Sequence, residues 1–165
     1  REIDEDEKEK IAEEVAIGSL RYSILKQTTG KDIIFDIDKS LSFEGDSGPY
    51  LQYATVRANS ILKKAQMSKM PFDTGIPDGW QTTNLERLLE RFSCVVERAG
   101  QEYAPNYIAT YLTELSGEFN SFYASHKIID AEDVTSPYRL ALTQAFVHVM
   151  TSGLNLLGIK VPNQM

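Results

Sequence analysis

Apolar residues recur every three or four positions along most of the chain, the spacing that places them on one face of an α-helix. The pattern predicts a first helix over residues 5–27, a short helical turn over 36–41, and a second long helix over about 48–68. The clearest stripe runs from Leu85 to Ala99 and predicts one continuous helix. These elements indicate a protein built mainly from amphipathic helices.

Proline and glycine mark where the remaining helices begin and end. Pro105 stands at a predicted first helical position, and the apolar stripe that follows continues to Phe122. A last helix is predicted to start at the Thr135–Pro137 cap and to stop at Gly158. Only the segment "DIIFDI" at 32–37 has the composition of a strand. The sequence therefore predicts an all-α fold, a helical bundle of about five to six helices.

Charge is distributed unevenly along the chain. The formal net charge is −7, and residues 1–14 hold eight acidic and three basic residues, which leaves the other 151 residues close to neutral. This balance argues against nonspecific binding to nucleic acids through bulk positive charge. It permits recognition of a single-stranded RNA through stacking and base edges. The chain also begins at Arg1 within the charged run, as expected for a piece of a longer protein.

The composition predicts a protein that folds around a core and does not enter a membrane. Hydrophobic residues make up 42% of the sequence, and no apolar run reaches the roughly 18 residues needed to span a bilayer. The single cysteine, Cys94, lies in an apolar helical pattern, so we expect a buried thiol and a reducing, cytoplasmic environment. His126 and His148 are isolated in the sequence. We therefore predict no catalytic residue, metal site or cofactor within this chain.

Four segments carry motifs that occur together in a known family. They are "AIGSLRYSIL" at 16–25, "FDIDKSLSFEGDSGPYLQYATVRANSILKKA" at 35–65, "YLTELSGEFNSFYASHKI" at 111–128 and "RLALTQAFVHVMTSGLNLLGIKVPNQM" at 139–165. In this order they resemble the C-terminal region of arginyl-tRNA synthetases.

The chain departs from the family pattern at three places. Pro137 and Tyr138 stand where the acid and alanine of the DALR motif are expected, and Ile37 replaces a more usual aromatic residue. The loop at 66–83 is also specific to this sequence. These differences concern local packing and leave the resemblance intact.

The resemblance implies a fold and a division of the chain. Residues 48–165 would form the helical DALR anticodon-binding domain, and residues 1–47 a helix and turn that connect it to a catalytic domain absent from this chain. The full-length protein would then be an arginine–tRNA ligase that uses ATP and Mg²⁺, and this fragment alone would be inactive. The implied partners are an arginine tRNA and the protein's own catalytic domain, in a cytoplasmic monomer.

The resemblance also implies which residues contact the anticodon loop. Every arginine codon has G in the middle, so every arginine anticodon has C there. By motif, Tyr123 and Met165 correspond to residues of the family's anticodon pocket. Tyr123 follows Phe122 and must point about 100° away from it on a helix, which favours a partly exposed ring. The other candidates are Tyr50 and Tyr53 beside the anticodon stem-loop, Arg57 at a phosphate or base edge, Asn120 orienting the Tyr123 region, and Lys127 and Arg139 as weaker phosphate contacts.

Several of these residues have simpler alternative roles. Tyr50 and Tyr53 could pack between helices, and the spacing of three does not decide which of them would face an RNA. Arg57 could form a weak surface pair with Glu44. Met165 on its own would be read as a frayed terminus.

Two other functions remain open at this point. The first is a helical protein–protein interaction module with an acidic arm, which would show no preference among tRNAs. The second is a DALR-type domain of another synthetase, such as the β-subunit of the glycyl enzyme.

Overall fold

A computed structural model describes residues 4–33 and 35–165 of the protein and shows only helices and loops in those residues. The helices are α1 (Glu5–Leu25), α2 (Ile37–Ser40), α3 (Gly48–Met67), α4 (Asn84–Glu90), α5 (Phe92–Gln101), α6 (Asn106–Ser125) and α7 (Ser136–Leu156). The all-α prediction is confirmed, with seven helices in the described residues instead of five or six. The strand considered at 32–37 is not observed, although Ile34 lies outside the described residues.

The predicted single helix over 85–99 is wrong, because the helix is interrupted at Arg91 between α4 and α5. The carbonyl of Leu88 accepts a hydrogen bond from the Arg91 N–H at 3.1 Å. This bond spans three residues, whereas an α-helical bond spans four, so the chain turns more tightly here. The same carbonyl accepts a bond from the Tyr111 hydroxyl of α6 at 2.8 Å. A side chain from another helix thus enters the hydrogen-bond ladder where the helix breaks.

The ends of the long helices follow their capping residues. Ser47 caps α3 by accepting the Tyr50 N–H at 3.1 Å, and Pro49 lies in the first turn of that helix. At the other end of the chain, Gly158 has a φ of 69° and follows α7, as predicted from the sequence. These signals fix where α3 starts and where the C-terminal segment leaves α7.

Helix α3 packs against α1, α6 and α7, and α6 in turn packs against α1, α4, α5 and α7 as well. Phe119 of α6 and Phe146 of α7 stack at 3.9 Å between ring centroids, and both are fully buried. Tyr22 of α1 is also fully buried, and its hydroxyl lies 2.6 Å from that of Thr113. Helix α1 therefore shares the core with α3 and α6, while the predicted domain boundary after residue 47 stays a prediction.

Two glycines allow α1 and α3 to approach very closely. A Cβ on Gly48 would lie 2.5 Å from the carbonyl oxygen of Gly18, and a Cβ on Gly18 would lie 2.8 Å from the side-chain nitrogen of Gln52. Gln52 also contacts Glu14, one turn before Gly18. A later residue of α3 thus contacts an earlier residue of α1, which means that the two helices run antiparallel.

The buried thiol predicted for Cys94 is wrong, because Cys94 is exposed. Helix α5 turns Ala99 into the core and packs Phe92, Val95 and Val96 against it. Cys94 lies two positions after Phe92, and that spacing places it about 200° around the helix, toward solvent. In the part of the chain that the structure describes, no helix combines the length and apolarity that a membrane span requires.

Candidate nucleic-acid interface

The side chains of Arg57 and Tyr123 meet where α3 passes α6. The guanidinium carbon of Arg57 lies 4.4 Å from the centroid of the Tyr123 ring, within the range of a cation–π contact. Tyr123 is half-buried, whereas the preceding residue, Phe122, is buried in the core. The partial exposure predicted for Tyr123 is therefore confirmed. Its ring packs partly against the core, as that of Tyr50 does, and forms a platform together with Arg57.

A second contact between the same two helices involves Tyr50 and Asn120. The side-chain nitrogen of Asn120 donates to the Tyr50 hydroxyl at 2.9 Å. Asn120 lies one helical turn before Tyr123, so this bond fixes α6 against α3 close to the platform. Tyr50 is half-buried and packs against the core, which leaves it less available to a ligand than an exposed tyrosine.

Tyr53 is the more accessible of the two tyrosines on α3. Its side chain is 42% exposed, and it meets the ring of Phe43 edge-to-face at 6.2 Å between centroids. Phe43 is itself exposed in the loop before α3. The two rings give an accessible aromatic surface at the start of α3, on the same helix as Arg57.

A groove of about 420 Å³ continues from the platform along the end of α6. It is lined by Ile61 and Lys64 of α3 and by residues 123–129. Its volume lies within the range of small-ligand sites. Arg57, Ile61 and Lys64 follow each other at helical spacings of four and three, so α3 presents them on one face. Lys64 is not among the residues predicted from the sequence, and this spacing is the signal that would have identified it.

Positive side chains surround the groove. Among residues 4–33 and 35–165, Arg57 forms no ion pair, and the pairing with Glu44 considered from the sequence is not observed. Lys127 lies 3.1 Å from a carboxylate oxygen of Asp130, but its side chain is 72% exposed. Such an exposed pair contributes little and is easily exchanged for another anion. Arg57, Lys64 and Lys127 therefore bring local positive charge to an acidic protein.

Arg139 lies beneath the groove rather than in it. Its side chain is buried, donates to the carbonyl of Lys127 at 2.7 Å, and bonds to the carboxylate of Asp133. The Asp133 carboxylate also accepts bonds from the backbone N–H and the hydroxyl of Thr135, and these bonds together with Arg139 lower the Asp133 pKa to about 2. Because both terminal nitrogens of its guanidinium bond inside the protein, we leave Arg139 out of the interface and assign it to supporting the 127–135 loop.

Comparison with known proteins identifies the family of this chain. The model of the DALR anticodon binding domain family matches residues 51–165. The chain belongs to the DALR anticodon-binding domain family. The match covers all of the platform and the groove.

Individual relatives of this DALR domain confirm the resemblance seen in the sequence. The arginine–tRNA ligases of Pyrococcus furiosus and Pyrococcus abyssi are 39% and 41% identical to it, each over 99% of this chain and 27% of the relative. The solved structure of Thermus thermophilus arginyl-tRNA synthetase superposes with a TM-score of 0.81 at 37% identity, over 96% of this chain and 28% of that one. The chain thus spans about a quarter of the length of the relatives it matches.

The loop at 66–83, which departs from the family pattern, packs against the rim of the groove in this DALR domain. Trp80 packs on Tyr138 at 5.2 Å and on His126 at 6.1 Å between centroids. Tyr138 and Trp80 both donate to the carboxylate of Glu86, at 2.7 Å and 3.2 Å. His126 lines the groove and stacks on Phe122 at 4.5 Å. The departure from the motif at Tyr138 is therefore compensated by partners from α4 and the preceding loop.

Met165 is half-buried at the end of the chain and does not belong to the groove lining. The structure thus brings five of the predicted residues together in one cluster. Tyr53 lies at the edge of this cluster and Arg139 lies beneath it. Met165 lies apart from it. The clustered five are Tyr50, Arg57, Asn120, Tyr123 and Lys127. Within the described residues, no group of three or more histidine, cysteine or acidic side chains is arranged to hold a metal ion.

Proposed function

We propose that this DALR domain binds the anticodon loop of an arginine tRNA and positions that tRNA for a catalytic domain elsewhere in the full-length protein. The observation that carries the proposal is the stack of Arg57 on Tyr123 at the mouth of a groove. The names of the relatives support arginine as the amino acid concerned. The same comparisons favour this function over a general protein-interaction module.

The platform suits an unpaired base. Proteins read single-stranded RNA by stacking its bases on aromatic rings or guanidinium planes and by bonding to base edges. Arg57 and Tyr123 offer both kinds of plane, and the N–H groups of Arg57 can donate to the ring nitrogen and oxygen acceptors of cytosine. Tyr53, which is exposed one turn earlier on α3, is placed to stack a neighbouring base.

The backbone of the loop would be held by the lysines of the groove. Lys64 lies on α3 and Lys127 after α6, so the two charges come from separate elements of the groove. Phosphate contacts of this kind orient a nucleic acid without reading its sequence. They also account for how a chain with a net charge of −7 can bind a polyanion.

The remaining steps are proposed for the full-length protein. It would ligate arginine to tRNA, with ATP and Mg²⁺ bound in the part of the protein that this chain does not include. It would act as a monomer in the cytoplasm, and this chain alone would not form an aminoacyl adenylate.

The proposal predicts that Tyr123→Ala in the full-length synthetase impairs the use of tRNA and leaves the KM values for arginine and ATP unchanged. A stacked base contributes roughly 1–3 kcal/mol, so kcat/KM for tRNA should fall by about five- to 150-fold. The measurement is steady-state aminoacylation with a tRNA transcript.

Tyr107→Ala is a matched control, because Arg98 lies over Tyr107 at 4.3 Å in the same type of contact at a different place on α6. It should leave tRNA use unchanged. A loss of less than about twofold for Tyr123→Ala, or an equal loss for Tyr107→Ala, would contradict the stacking role.

A further inference from the structure

A histidine lies in the wall of the groove at the point where the chain leaves α6. His126 has an extended backbone, with φ of −131° and ψ of 129°, and its half-buried side chain lines the groove. The ring stacks on Phe122 at 4.5 Å between centroids. Neither the Arg57–Tyr123 platform nor the two lysines of the groove use this ring, so its polar atoms are available for a separate role.

The neighbours of the His126 ring assign its proton to Nδ1. This atom lies 3.1 Å from the carbonyl of Phe122, which can only accept a hydrogen bond. It also lies 2.9 Å from the hydroxyl of Ser125, whose own proton is donated to the carbonyl of Ser121 at 2.8 Å. Both neighbours therefore accept from Nδ1. In the neutral ring, Nε2 then carries a lone pair and acts as an acceptor.

The Nε2 atom of His126 is open to a ligand. Among the residues that the structure describes, the hydrogen bonds of this ring involve Nδ1 alone. Nε2 does not belong to the buried polar atoms that lack a partner there, so it is accessible to solvent. The groove of about 420 Å³ thus has an accessible acceptor in its wall.

The backbone beside His126 also favours a hydrogen-bond donor. Tyr123, Ala124 and Ser125 form the end of α6 and line the same groove. Carbonyls in the last turn of a helix lack partners within that helix and carry partial negative charge. This end of the groove therefore suits the exocyclic amino group of cytosine, adenine or guanine. Uracil has no such group.

Trp80 supports the His126 ring from outside the groove. The two rings lie 6.1 Å apart between centroids, and Trp80 is not part of the groove lining. The indole Nε1 donates to the carboxylate of Glu86 at 3.2 Å, and the hydroxyl of Tyr138 donates to the same carboxylate at 2.7 Å. Because the indole is fixed in this way, it limits how far the imidazole can turn.

We propose that His126 is a further RNA-binding residue of this site, with Nε2 accepting a hydrogen bond from the exocyclic amino group of an unpaired base next to the one on the platform. Trp80 is the positioning residue for the His126 ring. This inference rests on the proposed function. It adds a second base to the site and distinguishes amino-bearing bases from uracil at that position.

The test is His126→Phe in the full-length synthetase, because phenylalanine keeps an aromatic ring beside Phe122 and Trp80 but offers no acceptor. The substrates are arginine tRNA transcripts in which each amino-bearing base of the anticodon loop, other than the middle anticodon base, is changed to U in turn. At one of these positions the wild type should lose about tenfold in kcat/KM, the effect of one hydrogen bond. His126→Phe should lose a similar factor with the unchanged transcript, and less than about twofold more with that U transcript.

Trp80→Leu tests the positioning role. Loss of the aromatic contact should lower kcat/KM for tRNA by about fivefold, which corresponds to about 1 kcal/mol, and should weaken the discrimination against U at the same position. Added to His126→Phe, it should cost less than about twofold more. If Trp80→Leu does not fold, Trp80→Phe takes its place with the same expectation, because the smaller ring also lacks the N–H that bonds to Glu86.

His148→Phe is the matched control. His148 is the other histidine of the chain, and it is exposed on α7 and does not line the groove. This variant should leave tRNA use unchanged. A loss equal to that of His126→Phe would contradict a specific role for His126.

The inference is overturned if His126→Phe keeps kcat/KM for tRNA within about twofold of the wild type, or responds to every base change as the wild type does. The positioning role is overturned if the effects of the Trp80 and His126 variants multiply. Tyr123→Ala is measured in parallel. If Tyr123→Ala impairs tRNA use and His126→Phe does not, only this inference fails; if neither does, the proposed function itself fails.

Discussion

Three arginines of this domain meet their neighbours in three different ways. Arg57 lies over an aromatic ring and forms no ion pair among the described residues. Arg98 also lies over a ring, but it pairs with Glu102 at 2.9 Å. Arg139 is buried against Asp133. Of the three, Arg57 alone has no carboxylate partner among the described residues, so an anion can approach its charge without displacing one.

At the same scale, Lys64→Ala should weaken tRNA binding and reduce its dependence on salt. Each phosphate contact with a single strand contributes about 0.7 to the slope of log K against log salt concentration. The slope for the full-length protein should therefore fall by about that amount. The matched control is Lys63→Ala, the neighbouring lysine that does not line the groove. Equal slopes for the two variants would remove Lys64 from the interface.

Asp133 gives a prediction for stability in acid. The hydrogen bonds from Thr135 and Arg139 lower its pKa from 3.8 to about 2 in the folded protein. A carboxyl with a lowered folded pKa stabilises the protein above its unfolded pKa, and this contribution disappears as the pH falls through the folded value. Asp133→Asn should therefore lower the melting temperature above about pH 4, and the difference from wild type should shrink toward pH 2.

The measurement is thermal unfolding of the chain between pH 2 and pH 7. Glu132→Gln, a change at the exposed neighbouring residue, is the control. A difference between Asp133→Asn and wild type that does not change with pH would show that the carboxylate has no part in holding Arg139.

At the scale of whole helices, the contact between α1 and α3 depends on glycine. Gly48→Ala would place a Cβ 2.5 Å from a backbone oxygen of α1, which cannot rotate away, so the helices must separate. We expect a loss of about 1–3 kcal/mol in the free energy of unfolding. Gly117→Ala in α6 meets no atom within 4 Å and should stabilise the protein by roughly 0.5–1 kcal/mol. Urea denaturation measures both, and effects of the same sign would contradict this packing.

Most helix boundaries could be predicted from the sequence because they depend on local signals such as Ser47 before α3 and Gly158 after α7. The interruption at Arg91 could not, because its cause is a hydroxyl from α6 that is distant in the sequence. The exposure of Cys94 has a local cause: it lies about 200° around the helix from Phe92, and the prediction treated the whole stripe as one apolar face. A tertiary contact therefore decided the first case, and helical spacing the second.

At the scale of the whole molecule, the site joins elements that are far apart in the sequence. Tyr123 and Arg57 could each be proposed from their motifs, but their contact depends on how α3 crosses α6. The burial of Arg139 depends on the loop before α7, which the sequence pattern leaves undefined. Lys64 could not be assigned from the sequence because the groove that it lines forms only when residues 123–129 pack beside α3.

The central claim is that the Arg57–Tyr123 platform reads the middle base of the anticodon. The most direct test compares charging of two arginine tRNA transcripts that differ only in C or U at that position. For the wild-type synthetase, kcat/KM for charging should be at least about tenfold higher with C than with U. This ratio corresponds to the loss of one hydrogen bond of about 1.4 kcal/mol. In Arg57→Ala and Tyr123→Ala this preference should fall toward one. A preference that stays at its wild-type value in both variants would contradict the account.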